Sequence, residues 1–165
     1  MAVVSIFIPP ECGSFLATNV PQMTQINGTN LTQIGLRYTA VNQAAFYRFV
    51  AHNYGASNPN VTVLLDWASF FGSTTSGSVT WGAALSVLTP GDAQAVGPDS
   101  FATEATTNTT TNSTGNGLNR TSITITSLDS LTAADFVCLR IRMTVLTSFS
   151  DTALLLGISV QYPDV

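Results

Sequence analysis

The stretch FVCLRIRMTV, residues 136–145, alternates strictly. Val137, Leu139, Ile141, Met143 and Val145 fall on one side, and Arg140, Arg142 and Thr144 on the other. A period of two marks a strand with one buried and one solvated face. The same pattern returns three more times. VTVLLDW aligns Val61, Val63, Leu65 and Trp67, and SVTWGAALSV aligns Val79, Trp81, Ala83, Leu85 and Val87. ALLLGISVQY aligns Leu154, Leu156, Ile158, Val160 and Tyr162. Strands greasy on one face and more polar on the other pack as antiparallel sheets around a shared core.

Further strands are expected over 3–8, 31–38, 45–51 and 121–126, which brings the number to eight. Between them lie turn-forming clusters: NGTN from Asn27, YGASNPN from Tyr54, GSTTSGS from Gly72 and PGD from Pro90. Eight short strands so punctuated read as an all-β fold, an antiparallel β-sandwich of jelly-roll type with little helix. Helix signals are confined to TAVNQAAF (39–46), a single turn or the lead-in to a strand, and SLDSLTAADF (127–136), a turn capped by Ser127 or Asp129. The Thr/Asn tract TEATTNTTTNSTGNG (103–117) reads as a long loop inside one domain, because the strands before it cannot close a sandwich without those after it. Deleting residues 106–115 is expected to spare folding. Residues 16–165 are read as one domain, preceded by 1–15 as an N-terminal arm or first strand.

Composition excludes several classes of function. The 165 residues are 45% apolar, enough for a core, but only 8% charged, against about 25% in a typical domain. Few charges leave an isolated monomer poorly solubilised, which favours an oligomer or larger assembly. There is no lysine, the five arginines are scattered, and the net charge is −4. Nucleic-acid binding needs a cationic footprint, so none is expected. No apolar run approaches a membrane span. MAVVSIFIPPECGSF lacks a basic n-region and is broken by Pro9 and Pro10, so no signal peptide is read there. Cys12 and Cys138 match no zinc or redox spacing and read as two reduced, buried small hydrophobes, with a single disulfide between them as the other reading.

The chemistry-bearing residues do not assemble into a motif. The only histidine is His52; a triad with Asp66 and Ser69 has no nucleophile elbow behind it, so no catalytic residue is assigned. Asp92, Asp99 and Glu104 lack calcium-loop spacing and read as turn carboxylates. No metal or cofactor site is assigned. Of the aromatic residues, Trp67 and Trp81 belong to apolar strand faces, while Tyr54, in a loop, is the better exposed candidate for a sugar platform. Sequons at Asn27, Asn30, Asn60, Asn108, Asn112 and Asn119 follow from an Asn- and Thr-rich composition.

The succession FYRFVAHNYGASNPNVTVLLDWAS, SGSVTWGAALSVLTPGD, LNRTSITITSLDSLTAADFVCLRIRM and DTALLLGISVQY resembles small jelly-roll structural proteins of tailed bacteriophage virions. That resemblance covers about residues 31–162 and implies a capsid cement (decoration) protein, or a domain of a tail fibre or appendage. It carries no catalytic residues. The expectation is a homotrimer on the outer capsid surface of the virion, made in the host cytoplasm, whose partner is the major capsid protein. It would bridge capsid subunits, with no enzyme activity, cofactor, nucleic acid or membrane. The alternative is a receptor-binding domain recognising host-surface glycans. Val3, Val4, Ile6, Phe7 and Ile8 form the candidate partner-contact arm, a short uncharged segment able to add a strand to a neighbour; its other reading is the first strand of the sandwich.

Overall fold

The computed structural model describes residues 2–27, 32–55, 60–70, 77–92, 100–112, 117–149 and 151–165. Ten strands carry the fold: β1 (Val3–Ile8), β2 (Gln22–Asn27), β3 (Thr32–Tyr38), β4 (Ala44–Val50), β5 (Val61–Ser69), β6 (Ser78–Leu88), β7 (Ala105–Thr110), β8 (Leu118–Ile125), β9 (Phe136–Thr147) and β10 (Ala153–Pro163). The first sheet runs β2-β3-β10-β5-β8, with β1 also paired to β10; the second runs β4-β9-β6-β7. All pairings are antiparallel. Strands β3 to β10 give the two four-stranded layers of a jelly roll, and β1 and β2 extend the first.

The alternation explains the layering. Inward residues of both sheets form one core cluster in which Trp67, Trp81, Tyr38, Tyr47, Leu65, Leu139 and Ile141 are fully buried. The aromatic centre interlocks edge-on: Tyr38 meets Trp81 at 4.9 Å and Trp67 meets Trp81 at 6.0 Å between ring centroids, the geometry that ring quadrupoles favour. Trp67 Nε1 donates to Thr121 Oγ1 at 2.9 Å. The Trp81 ring nitrogen has no hydrogen-bond partner among the described residues.

β10 is the organising strand. Its residues 153–155 pair with β3 and its residues 158–163 with β1, on the same edge, while β5 occupies the other. A register shift between Leu155 and Gly157 marks the handover, as a bulge that bends one strand permits. At Gly157 a Cβ would come within 3.0 Å of the Phe7 ring, so that ring lies over the glycine.

Three expectations are corrected. The Thr/Asn tract is not all loop: Ala105–Thr110 is β7, paired with β6 from Ala83↔Ala105 to Ser78↔Thr110. Threonine is β-branched and fits a half-exposed edge strand, and the burial of β7 alternates accordingly. The crossing to the first sheet lies between β7 and β8, where Thr109 Oγ1 meets Thr121 Oγ1 at 2.7 Å and Asn119 Oδ1 accepts the Asn112 amide at 2.6 Å. Residues 113–116 of the tract lie outside the described residues. Second, β2 was not foreseen, because QMTQIN is too polar to stand out from its flanks. Third, of the two helix signals, 39–46 is a strand lead-in, one of the two readings given for it, and 127–136 forms no helical turn. The former is a turn with Asn42 at φ 66° leading into β4, and the latter is held by side chains. There Asp129 accepts the Val87 amide and Asp135 accepts the Thr132 amide. A 3-10 turn at Pro10–Cys12 is the only helical element among the described residues.

Candidate ligand-binding face

The outer face of the first sheet is built from positions distant in sequence and adjacent in register. Ser5 faces Gln161, Gln161 faces Thr62, and Thr62 faces Thr124. These four side chains form one row across β1, β10, β5 and β8, about 14 Å long at the usual strand spacing. A second row holds Phe7, Ser159, Leu64 and Ser122. Val3, Asn60, Thr62, Thr124, Gln161, Tyr162 and Pro163 line a shallow groove of about 360 Å³ over this area. Its side chains are amides, hydroxyls and apolar groups, with no charge among them. The charged boundary lies further along, where Arg120 Nε and Nη2 donate to Asp66 at 2.7 and 2.8 Å. That hydrogen bonding, and then the carboxylate charge, holds the guanidinium above its ordinary pKa.

Phe7 is 64% and Val3 62% exposed, both on the outward side of β1. The candidate arm is therefore a strand of this chain's own sheet. Val4, Ile6 and Ile8 turn toward the core and Ile8 is buried, while Val3 and Phe7 remain open.

The other singled-out residues are dispersed. Tyr54, expected as an exposed platform, is buried: a bridge to Asp164 draws it under the end of β10, with its ring 6.0 Å from that of Tyr162. His52 is exposed in the turn after β4, Asp66 is engaged by Arg120, and the Ser69 hydroxyl donates to Asp151, so no relay joins the three. Glu104, read as a turn carboxylate, is instead an ion-pair partner. It accepts from Arg140 Nη2 at 3.1 Å and from Arg142 Nε and Nη2 at 3.1 and 2.6 Å on the outer face of the second sheet. Asp92 is an exposed turn residue and Asp99 lies outside the described residues. Among the described residues no three His, Cys, Asp or Glu side chains converge as a metal site. Cys12 is exposed rather than buried, because it ends the 3-10 turn; Cys138 is half-buried, burial pushes its thiol pKa up, and both are free thiols. Of the sequons, Asn119 is buried and Asn108 is bonded to Ser78 and Thr80.

Apart from Val3, which was named in the candidate arm, the groove residues were missed because no motif spans them. They come from four strands and meet only once register is known.

No family model matches the chain, and no curated protein is similar to it in sequence. Several solved structures are similar to it. A carbohydrate-binding module of a xylanase from the hindgut metagenome of Trinervitermes trinervoides superposes with a TM-score of 0.49 at 12% identity, covering 98% of this chain and all of that one. An exo-β-1,3-galactanase from Phanerochaete chrysosporium gives 0.49 at 16% identity over 95% of this chain, which spans 29% of the galactanase. A family 11 carbohydrate-binding module from Clostridium thermocellum gives 0.44 at 8% identity, over 96% of this chain and 87% of that module. At these values no residue of a site carries over.

Proposed function

We propose that the protein is a non-catalytic binding module that holds an uncharged, hydroxyl-rich ligand, an extended glycan, on the outer face of its first sheet. The observation that carries this reading is the in-register row Ser5–Gln161–Thr62–Thr124, running into the 360 Å³ groove. Amide and hydroxyl groups both donate and accept hydrogen bonds, as sugar hydroxyls do. An uncharged groove adds no ionic desolvation cost, and the apolar flanks at Val3 and Leu64 suit the C–H faces of a sugar. A glycan array followed by titration calorimetry tests it. Neutral glycans should bind, and Gln161→Ala with Thr62→Val should weaken binding by roughly 10-fold or more through lost hydrogen bonds. Failure to bind any neutral glycan, or binding indifferent to both substitutions, rejects the reading.

A second reading, a capsid cement subunit contacting the major capsid protein, draws on the exposed apolar side chains of β1, Val3 and Phe7. Its test is particle composition: hundreds of copies per purified virion and lower heat resistance after removal. Absence from particles rejects it.

A further inference from the structure

The free edge of β1 is complementary to itself. The Asp164 amide donates to the Ala2 carbonyl, which makes Ala2↔Asp164 a hydrogen-bonded pair. In an antiparallel ladder such pairs alternate, so Ala2, Val4, Ile6 and Ile8 direct their backbone groups at β10. Val3, Ser5 and Phe7 direct theirs the other way, where no strand pairs with β1 among the described residues. Exposed edges are ordinarily blunted by charge, proline or a bulge. VVSIFI has none of these. Three other edges are at least partly covered: Ser14 exchanges two backbone hydrogen bonds with Phe46 on β4, and β7 and β8 meet through Thr109 and Thr121, which leaves β2 as the other open edge among the described residues.

We propose that two copies of this chain pair antiparallel through β1, with the two-fold axis at Ser5. Two-fold symmetry perpendicular to a sheet puts residues whose numbers sum to ten opposite one another: Ser5 with Ser5, Val3 with Phe7, Val4 with Ile6. This register uses all three outward-directed residues in hydrogen-bonded pairs. It sets each exposed Phe7 against an exposed Val3 of the second copy, so the two apolar side chains left open on β1 cover each other. The smallest side chain of the strand falls on the axis. No charge lies on the strand, so a protein of net charge −4 meets no like charge along the paired edges. The polar row then becomes continuous, running Thr124–Thr62–Gln161–Ser5 and on through Ser5–Gln161–Thr62–Thr124 of the second copy.

Analytical ultracentrifugation of the full chain tests this without any ligand, so its outcome is separate from that of the glycan reading. The expected species at high micromolar concentration is a dimer; a monomer or a trimer there overturns the proposal. Ser5→Pro removes an N–H that β10 does not use, and proline is tolerated on an edge strand. It should weaken dimerisation by at least about 100-fold, through two lost hydrogen bonds and the ring's obstruction, and an undiminished dimer overturns the proposal. Ser5→Cys in a Cys12→Ser, Cys138→Ser background supplies a readout that survives any folding defect of the proline variant. Hydrogen-bonded pairs lie about 5.5 Å apart at Cα, with Cβ atoms somewhat beyond the span of a relaxed disulfide, so a short thiol-to-thiol cross-linker such as a bis-methanethiosulfonate should give a covalent dimer. Failure to cross-link overturns the assigned register.

Discussion

Gly82 is predicted to be a glycine because of a carboxylate. A Cβ at this position would stand 2.6 Å from Glu104 Cδ and 2.7 Å from its Oε1, and the three nearest atoms all belong to Glu104. The side chain thus crosses β6 to reach Arg140 and Arg142 on β9, its side chain only 13% exposed against 23% and 33% for the arginines. Gly82→Ala must push the carboxylate off at least one arginine. Glu104 accepts three charge-assisted bonds, each worth about 1.5–3 kcal/mol when well buried. Water reaches both arginines, so removing the whole set by Glu104→Ala should cost about 2–4 kcal/mol, and the partial displacement by Gly82→Ala about 1–2 kcal/mol. The diagnostic is a sign change. In a Glu104→Ala background the space is vacant, and Gly82→Ala should become neutral or stabilising by about 0.4–1 kcal/mol, since it narrows the unfolded ensemble. Urea unfolding of the four proteins in a double-mutant cycle measures this. An equal cost of Gly82→Ala in both backgrounds would refute the steric argument.

Trp67→Phe should cost about 1 kcal/mol more than Trp81→Phe in the same assay, because it removes the hydrogen bond to Thr121, whose hydroxyl keeps Thr109, while Trp81 has no such bond to lose. Gln43→Ala should cost about 2–3 kcal/mol: its Oε1 accepts the Thr39 and Ala40 amides at 2.6 and 3.1 Å, and its Nε2 donates to the Val20 carbonyl at 2.9 Å. Deleting residues 106–115 should lose the cooperative unfolding transition, because it strips β7 from β6; a folded deletion would make β7 dispensable. Alkali should unfold the protein. Burial, with Tyr47 second, raises Tyr38, and burial, followed by Cys12 and Glu11, raises Tyr47. The folded state therefore favours the neutral phenols; that stability is intact below the unfolded pKa near 10 and is lost as pH rises beyond it. Tyrosinate absorbance should rise together with loss of fold, and titration near pH 10 with the fold intact would contradict this.

The strands of the core were legible because burial imposes a period of two, and β5, β6, β9 and β10 announce it in Val, Leu, Ile and Trp. β2 and β7 were not, because edge strands face water and their alternation is written in Thr, Gln and Asn, residues that also make loops. Tyr54 misled for a related reason. Its neighbours are turn formers, and only the bridge to Asp164, far along the chain, decides its burial. The groove was illegible in principle from spacing, since Val3, Asn60, Thr124 and Gln161 become neighbours through register alone.

The place of β10 in the first sheet also sets an order of events for a chain being made from its N-terminus. β1, β3 and β5 all pair with residues 153–163, so every other strand of the fold precedes the segment that joins them. Until that segment is synthesised, β1 has no partner, the β2–β3 hairpin has nothing to join, and β5 holds only β8. Assembly of this layer is thus deferred until residues 153–163 have been made, and closing such distant pairings is slow. A nascent or truncated chain would present three uncharged or weakly charged strand edges at once, the condition in which chaperones and aggregation compete for a polypeptide.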